Sequence, residues 1–330
     1  MHISIFPACF SLEIPEFAIN YFHHAYFSNQ FIQLKKAQTT AKLSDNQYPF
    51  QFIRSYQSYA DTKVQTMAPV AISKAGYWGD VTSSMDWCEE NYEWTPYIAE
   101  FFNSWSSLAM IVLGEACARM NPTGNPAFTL LGRSITVVGI GSWLFHATLK
   151  YSMQMTDELP MLWAISIGCY ISITMQYDVN RRMVKNTLTL WTLFVSLLTA
   201  CFSGKVQFFL FQSSFNLLSG VMAYLCWRAK RDLENSNMSH VAQLFPAGVK
   251  LYILAAVVWL TDTNLCTYIN GRNESSIMPF NVQLHAWWHV LASFGLVYLV
   301  VLFMGHYCLL KGIPFKLKYI YGVFPYVYTN

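Results

Sequence analysis

From residue 97 onward the chain is a succession of long apolar runs separated by short polar stretches. A helix needs about 20 apolar residues to cross a bilayer. Seven runs meet or approach that length, at 97–118, 126–147, 157–177, 187–203, 206–228, 247–269 and 284–310, the fourth being the shortest. In lipid only helices and closed barrels satisfy the backbone. The pattern therefore predicts an all-α membrane protein, a single seven-transmembrane helix bundle over 97–310 with no internal repeat.

Residues 1–66 break the pattern. Apolar pieces such as ISIFPACF and FAINYF are interrupted by Glu13, Glu16 and prolines, and a polar tract, KKAQTTAKLSDNQ, follows. A secretory signal needs a basic start and an uninterrupted apolar stretch, and neither is present, so 1–66 reads as a poorly ordered extension. Met67 opens MAPVAISKAGYWGD and would serve as an alternative beginning. Residues 67–96 form a polar loop before the first apolar run, and 311–330 form a tail after the last.

Basic residues in short loops set orientation. With the N-terminus outside the cytosol, the cytosolic loops and tail carry Arg119, Arg133, Arg181, Arg182, Lys185, Arg228, Lys230, Arg231, Lys250, Lys311, Lys316 and Lys318. Beyond the N-terminal segment the opposite side holds Lys150, Lys205 and Arg272. The asymmetry predicts a lumenal or exterior N-terminus and a cytosolic C-terminus.

Composition agrees with a membrane chain: 54% of the 330 residues are hydrophobic and 12% charged, against about 25% charged in soluble domains. A net charge of +3, scattered and without Lys/Arg runs, excludes nucleic acid as a natural partner. The eight cysteines include no C-x-x-C pair, which fits neither a zinc knuckle nor a disulfide-dense scaffold.

Against this apolar background the polar residues inside the runs stand out. NVQLHAWWHVLA places His285 and His289 four apart, on one helical face, the geometry that lets two imidazoles share a metal ion. The second run ends in GSWLFHATLK, bringing Ser142 and His146 to the lumenal end of its helix. The third begins at MQMTDELP, with Asp157 at the same level. Three histidines, a serine and an aspartate from three helices thus meet at one depth. Ser142 alone reads as close helix packing. Asp157 alone reads as a helix start, with Pro160 in the first turn. Three histidines around zinc leave a fourth tetrahedral position open, as in a catalytic site. A proton relay is the rival use of the same histidines.

A second constellation precedes the first run in DWCEENYEWTPYIAEFF. Asp86, Glu89 and Asn91 are closely spaced, and Glu100 lies inside the apolar start of the helix. The residues admit two readings. One is a local D-x-x-E cap; the other is an oxygen-rich calcium site, although the order of an EF-hand is absent.

GYWG…DWCEENY…YIAEF, VVGIGSWLFHATLKY…DELPM and QLHAWWH together closely resemble the alkaline ceramidases, from about Gly76 to the C-terminal tail. That family sits in a wider group of seven-helix membrane hydrolases that includes the progestin and adipoQ receptors. The resemblance implies His146, His285 and His289 as zinc ligands, with Ser142 and Asp157 beside the metal. It also implies Asp86, Glu89, Asn91, Glu100 and the backbone carbonyl of Trp87 as calcium ligands. The implied reaction is hydrolysis of a ceramide amide to a sphingoid base and a fatty acid by attack of zinc-bound water. In it Asp157 handles the proton and Ser142 faces the oxyanion. The implied substrate is a ceramide, phyto- and dihydroceramide included, drawn from endoplasmic reticulum or Golgi membranes; nothing in the sequence points to an obligate protein partner. Cys88 and Cys266 share the lumenal side and are expected to form a disulfide in an oxidising compartment. The competing expectation is a receptor of the progestin/adipoQ type with a secondary zinc site. Its cytosolic N-terminus runs against the loop charges.

Overall fold

The structure, a computed structural model, describes residues 76–329. The extension read at 1–66 lies outside the described residues. Residues 76–100 run as turns without regular secondary structure. Two short consecutive helices follow, α1 (Phe101–Ser106) and α2 (Leu108–Arg119), and then α3 (Pro126–Thr148), α4 (Tyr151–Gln176), α5 (Arg181–Cys201) and α6 (Gly204–Asn235). After a single turn, α7 (Ser239–Ala242), come α8 (Leu244–Ile269) and α9 (Leu284–Leu310). Among the described residues six helices are long and apolar enough to cross a membrane, α7 and α8 counting as one. The protein is a multi-pass helical membrane protein.

The first apolar run, 97–118, differs from expectation because it is divided at Ser107. Ser104, Ser106 and Ser107 each donate to a carbonyl three or four residues back, at 2.7 to 3.0 Å. Such back-bonding bends a helix. The third run also differs: α4 begins at Tyr151, so Asp157 lies in its second turn and Pro160 inside the helix, not in the first turn. The missing turn was hidden by polar residues that find buried partners. Gln154 donates to Glu158 at 2.8 Å and to Gln207 of α6 at 3.1 Å, and receives the N–H of Ser84 at 2.7 Å.

An all-α reading fails at the tail. Residues 315–329 form an antiparallel hairpin, β1 (Phe315–Ile320) and β2 (Phe324–Thr329), paired from Phe315↔Thr329 to Ile320↔Phe324. The strand FKLKYI alternates, with Lys316 and Lys318 exposed and Phe315 and Leu317 turned inward. Phe324 and Val327 are buried in the main apolar cluster, and the Tyr298 hydroxyl of α9 donates to the Val323 carbonyl at 2.9 Å. The hairpin forms because it covers a face of α9 that would otherwise be bare.

Helices α2, α3, α4, α6 and α9 pack each on the next, and α9 closes back on α2. α5 lies across α4 and α6, and α8 runs along α9. Small residues permit the close crossings. A Cβ added at Gly141 would stand 1.9 Å from the Thr156 carbonyl oxygen, so α3 and α4 touch backbone to backbone just before Ser142. The end of α3 is fixed by Leu149, whose left-handed backbone (φ 49°) stops the helix while its buried carbonyl receives Thr82 and Ser83 N–H, each at 3.1 Å. That stop lays the N-terminal loop on the end of α3, where the polar residues gather.

Candidate metal centre

The loop meets α3 through two backbone hydrogen bonds. Ala99 N–H donates to Ala147 O and Glu100 N–H to His146 O, both at 2.9 Å, using carbonyls that the end of the helix leaves free. This pairing carries the Glu100 side chain alongside His146. Glu100 Oε2 lies 2.5 Å from His146 Nδ1, and the two side chains are 0% and 1% exposed. The ring is thereby fixed with Nε2 pointing away from the carboxylate.

His285 and His289, on the first turns of α9, close the group. Their ring centroids are 4.7 Å apart and lie 5.1 and 4.9 Å from that of His146. One nitrogen from each histidine lies within 4.8 Å of the others, and all three residues are buried. His289 Nδ1 is held by Ser106 Oγ at 2.8 Å, while its Nε2 is 3.4 Å from Ser142 Oγ. Among the described residues His146 Nε2 and His285 Nδ1 are buried with no hydrogen-bond partner. Buried polar atoms normally find one, and neutral imidazole nitrogens are ready metal ligands. Glu100 and Ser106 orient two of the rings in the manner of the outer partners of metal-binding histidines. The group can hold a metal ion, and its donor set suits zinc.

Ser142 lies in contact with this group, sharing a 3.0 Å hydrogen bond with Ser107 Oγ. Asp157 is placed on α4 directly after Thr156, whose carbonyl abuts Gly141. Among the described residues Asp157 makes no hydrogen bond to the three histidines.

The acidic constellation lies on the other side of Glu100. Asp86 accepts from Asn91 Nδ2 at 3.1 Å. Glu89 accepts the N–H groups of Phe102 and Asn103 at 2.7 and 2.9 Å, which caps the start of α1 from a distance. Glu100 accepts the N–H of Trp87 and the Asn103 side-chain amide, each at 3.1 Å. The cap therefore differs from the local D-x-x-E pair, since Glu89 reaches the start of α1 from 13 residues away while Asp86 pairs with Asn91. Asn91 Oδ1 is buried without a partner, and burial pushes the Glu89 carboxyl up to about 7 in spite of its amide hydrogen bonds. An oxygen-rich, under-neutralised cluster of this kind suits a hard cation.

Cys88 and Cys266 are joined as a disulfide with Cα atoms 5.4 Å apart. Helix α8 leaves helical geometry at Leu265 (φ −117°, ψ 16°), immediately before Cys266. Asp262, one turn earlier and 2% exposed, accepts the N–H of Cys88 at 3.1 Å. Asp262 thus ties the loop to α8. Ser106 and Ser107 were not legible as partners of the site: each works across at least 35 residues of chain, and serine is common in helices.

A polytopic helix bundle with three buried histidines converging at one end defines a class of membrane protein whose helices present a group able to hold a metal ion. Residues 79–328 match the ceramidase family model. The chain is 31% identical to alkaline ceramidase 3 of Mus musculus over 278 residues, covering 79% of this chain and 97% of the mouse protein. It is 30% identical to an alkaline ceramidase of Saccharomyces cerevisiae, over 69% of this chain and 78% of the yeast one. It is also 30% identical to the alkaline ceramidase of Arabidopsis thaliana, over 77% and 95%. The chain belongs to the ceramidase family.

Proposed function

We propose that this protein is a zinc-dependent intramembrane amidase that hydrolyses ceramide to a sphingoid base and a free fatty acid. The observation that carries the reading is the buried His146, His285 and His289 group, with His146 Nε2 and His285 Nδ1 lacking a partner among the described residues. Family membership supplies the substrate class. When bound, zinc would lend Lewis acidity to the amide carbonyl and acidity to a water molecule.

The chain's own residues do the rest. Glu100 and Ser106 hold the imidazoles of His146 and His289 in register. Ser142, beside His289, donates a hydrogen bond to the developing oxyanion. Asp157 takes the proton released from water and returns it to the leaving amine. The apolar interior of the bundle receives the acyl chain, and the loop end receives the head group.

Asp86, Glu89, Asn91, Glu100 and the Trp87 carbonyl hold calcium in this reading. Calcium held there would brace residues 76–96 over the bundle mouth. α1 and α2 together supply the first of seven spans, the loop side faces the lumen, and the hairpin lies in the cytosol. The protein resides in endoplasmic reticulum or Golgi membranes. Purified protein assayed against ceramide, with metal analysis alongside, tests the reading. Stoichiometric zinc and release of sphingoid base are expected, and a zinc-free protein without ceramide hydrolysis would overturn it.

A further inference from the structure

Trp87 lines the three-histidine centre, yet nothing assigned above uses its side chain. Its indole stacks on the His285 ring with centroids 3.7 Å apart and planes 20° from parallel. The His146 ring lies at 6.4 Å and Trp259 at 6.2 Å. The backbone around it is pinned. Trp87 N–H donates to Glu100, the next residue donates to Asp262, and that residue is disulfide-bonded to α8. On this pinned backbone the indole nonetheless keeps Nε1 buried without a hydrogen-bond partner among the described residues.

An indole N–H donates and never accepts, and a buried donor left unpaired costs free energy. The two histidine rings beside the indole also carry buried atoms without a partner among the described residues, His146 Nε2 and His285 Nδ1, which a bound metal ion would satisfy. A metal cannot satisfy an indole N–H. The donor requires an oxygen acceptor, and the ligand that enters this space carries several.

We propose that the Trp87 indole N–H donates a hydrogen bond to the polar head of the lipid substrate, at the amide carbonyl oxygen or the hydroxyl beside it. The proposal rests on the amidase reading above. It makes the N-terminal loop a wall of the substrate site as well as a brace. The loop then discriminates lipids by the oxygens next to the scissile amide.

Two replacements isolate the N–H. Trp87→Phe keeps an aromatic ring on His285, and replacing Trp87 with β-(3-benzothienyl)alanine keeps the bicyclic shape and exchanges N–H for sulfur. Each is measured for zinc content, thermal midpoint, and kcat and KM on ceramide and on ceramide lacking the 3-hydroxyl. Binding of the non-hydrolysable ketone isostere of ceramide is measured alongside. With the benzothienyl side chain, zinc content and midpoint are expected to match the unmodified protein. kcat/KM falls about 10- to 100-fold, and the ketone binds about five- to tenfold more weakly. A donor to the carbonyl lowers kcat equally for both ceramides. A donor to the hydroxyl raises KM for ceramide alone. Activity and ketone binding within twofold of the unmodified protein overturn the proposal, as does a loss that follows zinc or the midpoint in the isosteric variant. An unmodified protein that binds the ketone without hydrolysing ceramide sinks the amidase reading instead, and ketone binding by the variants then decides the donor.

Discussion

Glu100 Oε2 and His146 Nδ1 stand 2.5 Å apart in a fully buried contact, and the same carboxylate accepts the N–H of Trp87 through its other oxygen. One side chain therefore joins the acidic loop to the histidine centre. Partners that orient metal-binding histidines are typically worth 10- to 100-fold in metal affinity. Glu100→Gln is expected to weaken zinc binding by about that factor, read by titration against a competing chelator. Ser106→Ala, which frees only His289 Nδ1, falls at the lower end. Unchanged zinc affinity in both would show that neither contact orients a ligand.

His285→Ala removes one of the three converging histidines. Zinc content should drop to a small fraction of one per chain and ceramide hydrolysis to background, while the protein still inserts and migrates as a folded species. Full activity in this variant would rule out the metal role of the histidine group.

Ser142 and Asp157 are not metal ligands in this arrangement, so their variants separate chemistry from metal binding. Asp157→Asn should lower kcat by about 100- to 10,000-fold with zinc retained, the range of a positioned proton acceptor. Ser142→Ala should lower kcat by about 100-fold, again with zinc retained. Loss of zinc from the Asp157 variant would reassign that residue to the metal itself.

Asn273 belongs to a sequon in the loop before α9, but its side-chain amide is buried, so it is expected to remain without glycan. A sequon on a flexible insert at exposed Ser275 should be glycosylated, and the same insert at Ser236 should not. Digestion with an endoglycosidase reads both by gel mobility. A glycan at Ser236 would reverse the orientation.

The disulfide, the Asp262 contact and the two pairings with the end of α3 hold the loop together. Replacing Cys88 and Cys266 together by Ser should lower the thermal midpoint by several degrees, consistent with about 2–4 kcal/mol for a long closed loop. On the proposed calcium role, the calcium concentration at half-maximal activity should rise with it. An unchanged midpoint and calcium response would leave the disulfide without a bracing role.

Much of this protein was written along the chain. A helix that crosses a membrane through the middle of a bundle must be apolar over its whole length, so α9 was legible to the residue as 284–310, and the four-residue spacing of His285 and His289 survives any packing of that helix. Where polar residues pair inside the bundle the signal fails: Gln154, satisfied by Glu158 and Gln207, concealed the first turn of α4, and serine back-bonding divided the first run. The hairpin was illegible because a six-residue strand has meaning only against the α9 face it covers. Residue types and local spacing therefore determined which side chains were available for a metal. Which nitrogen each histidine presents, and that Glu100 serves both the loop and His146, depended on contacts spanning 46 to 183 residues. Only the folded chain closes such distances, because hydrogen bonds act over a few ångströms of space and not along the sequence.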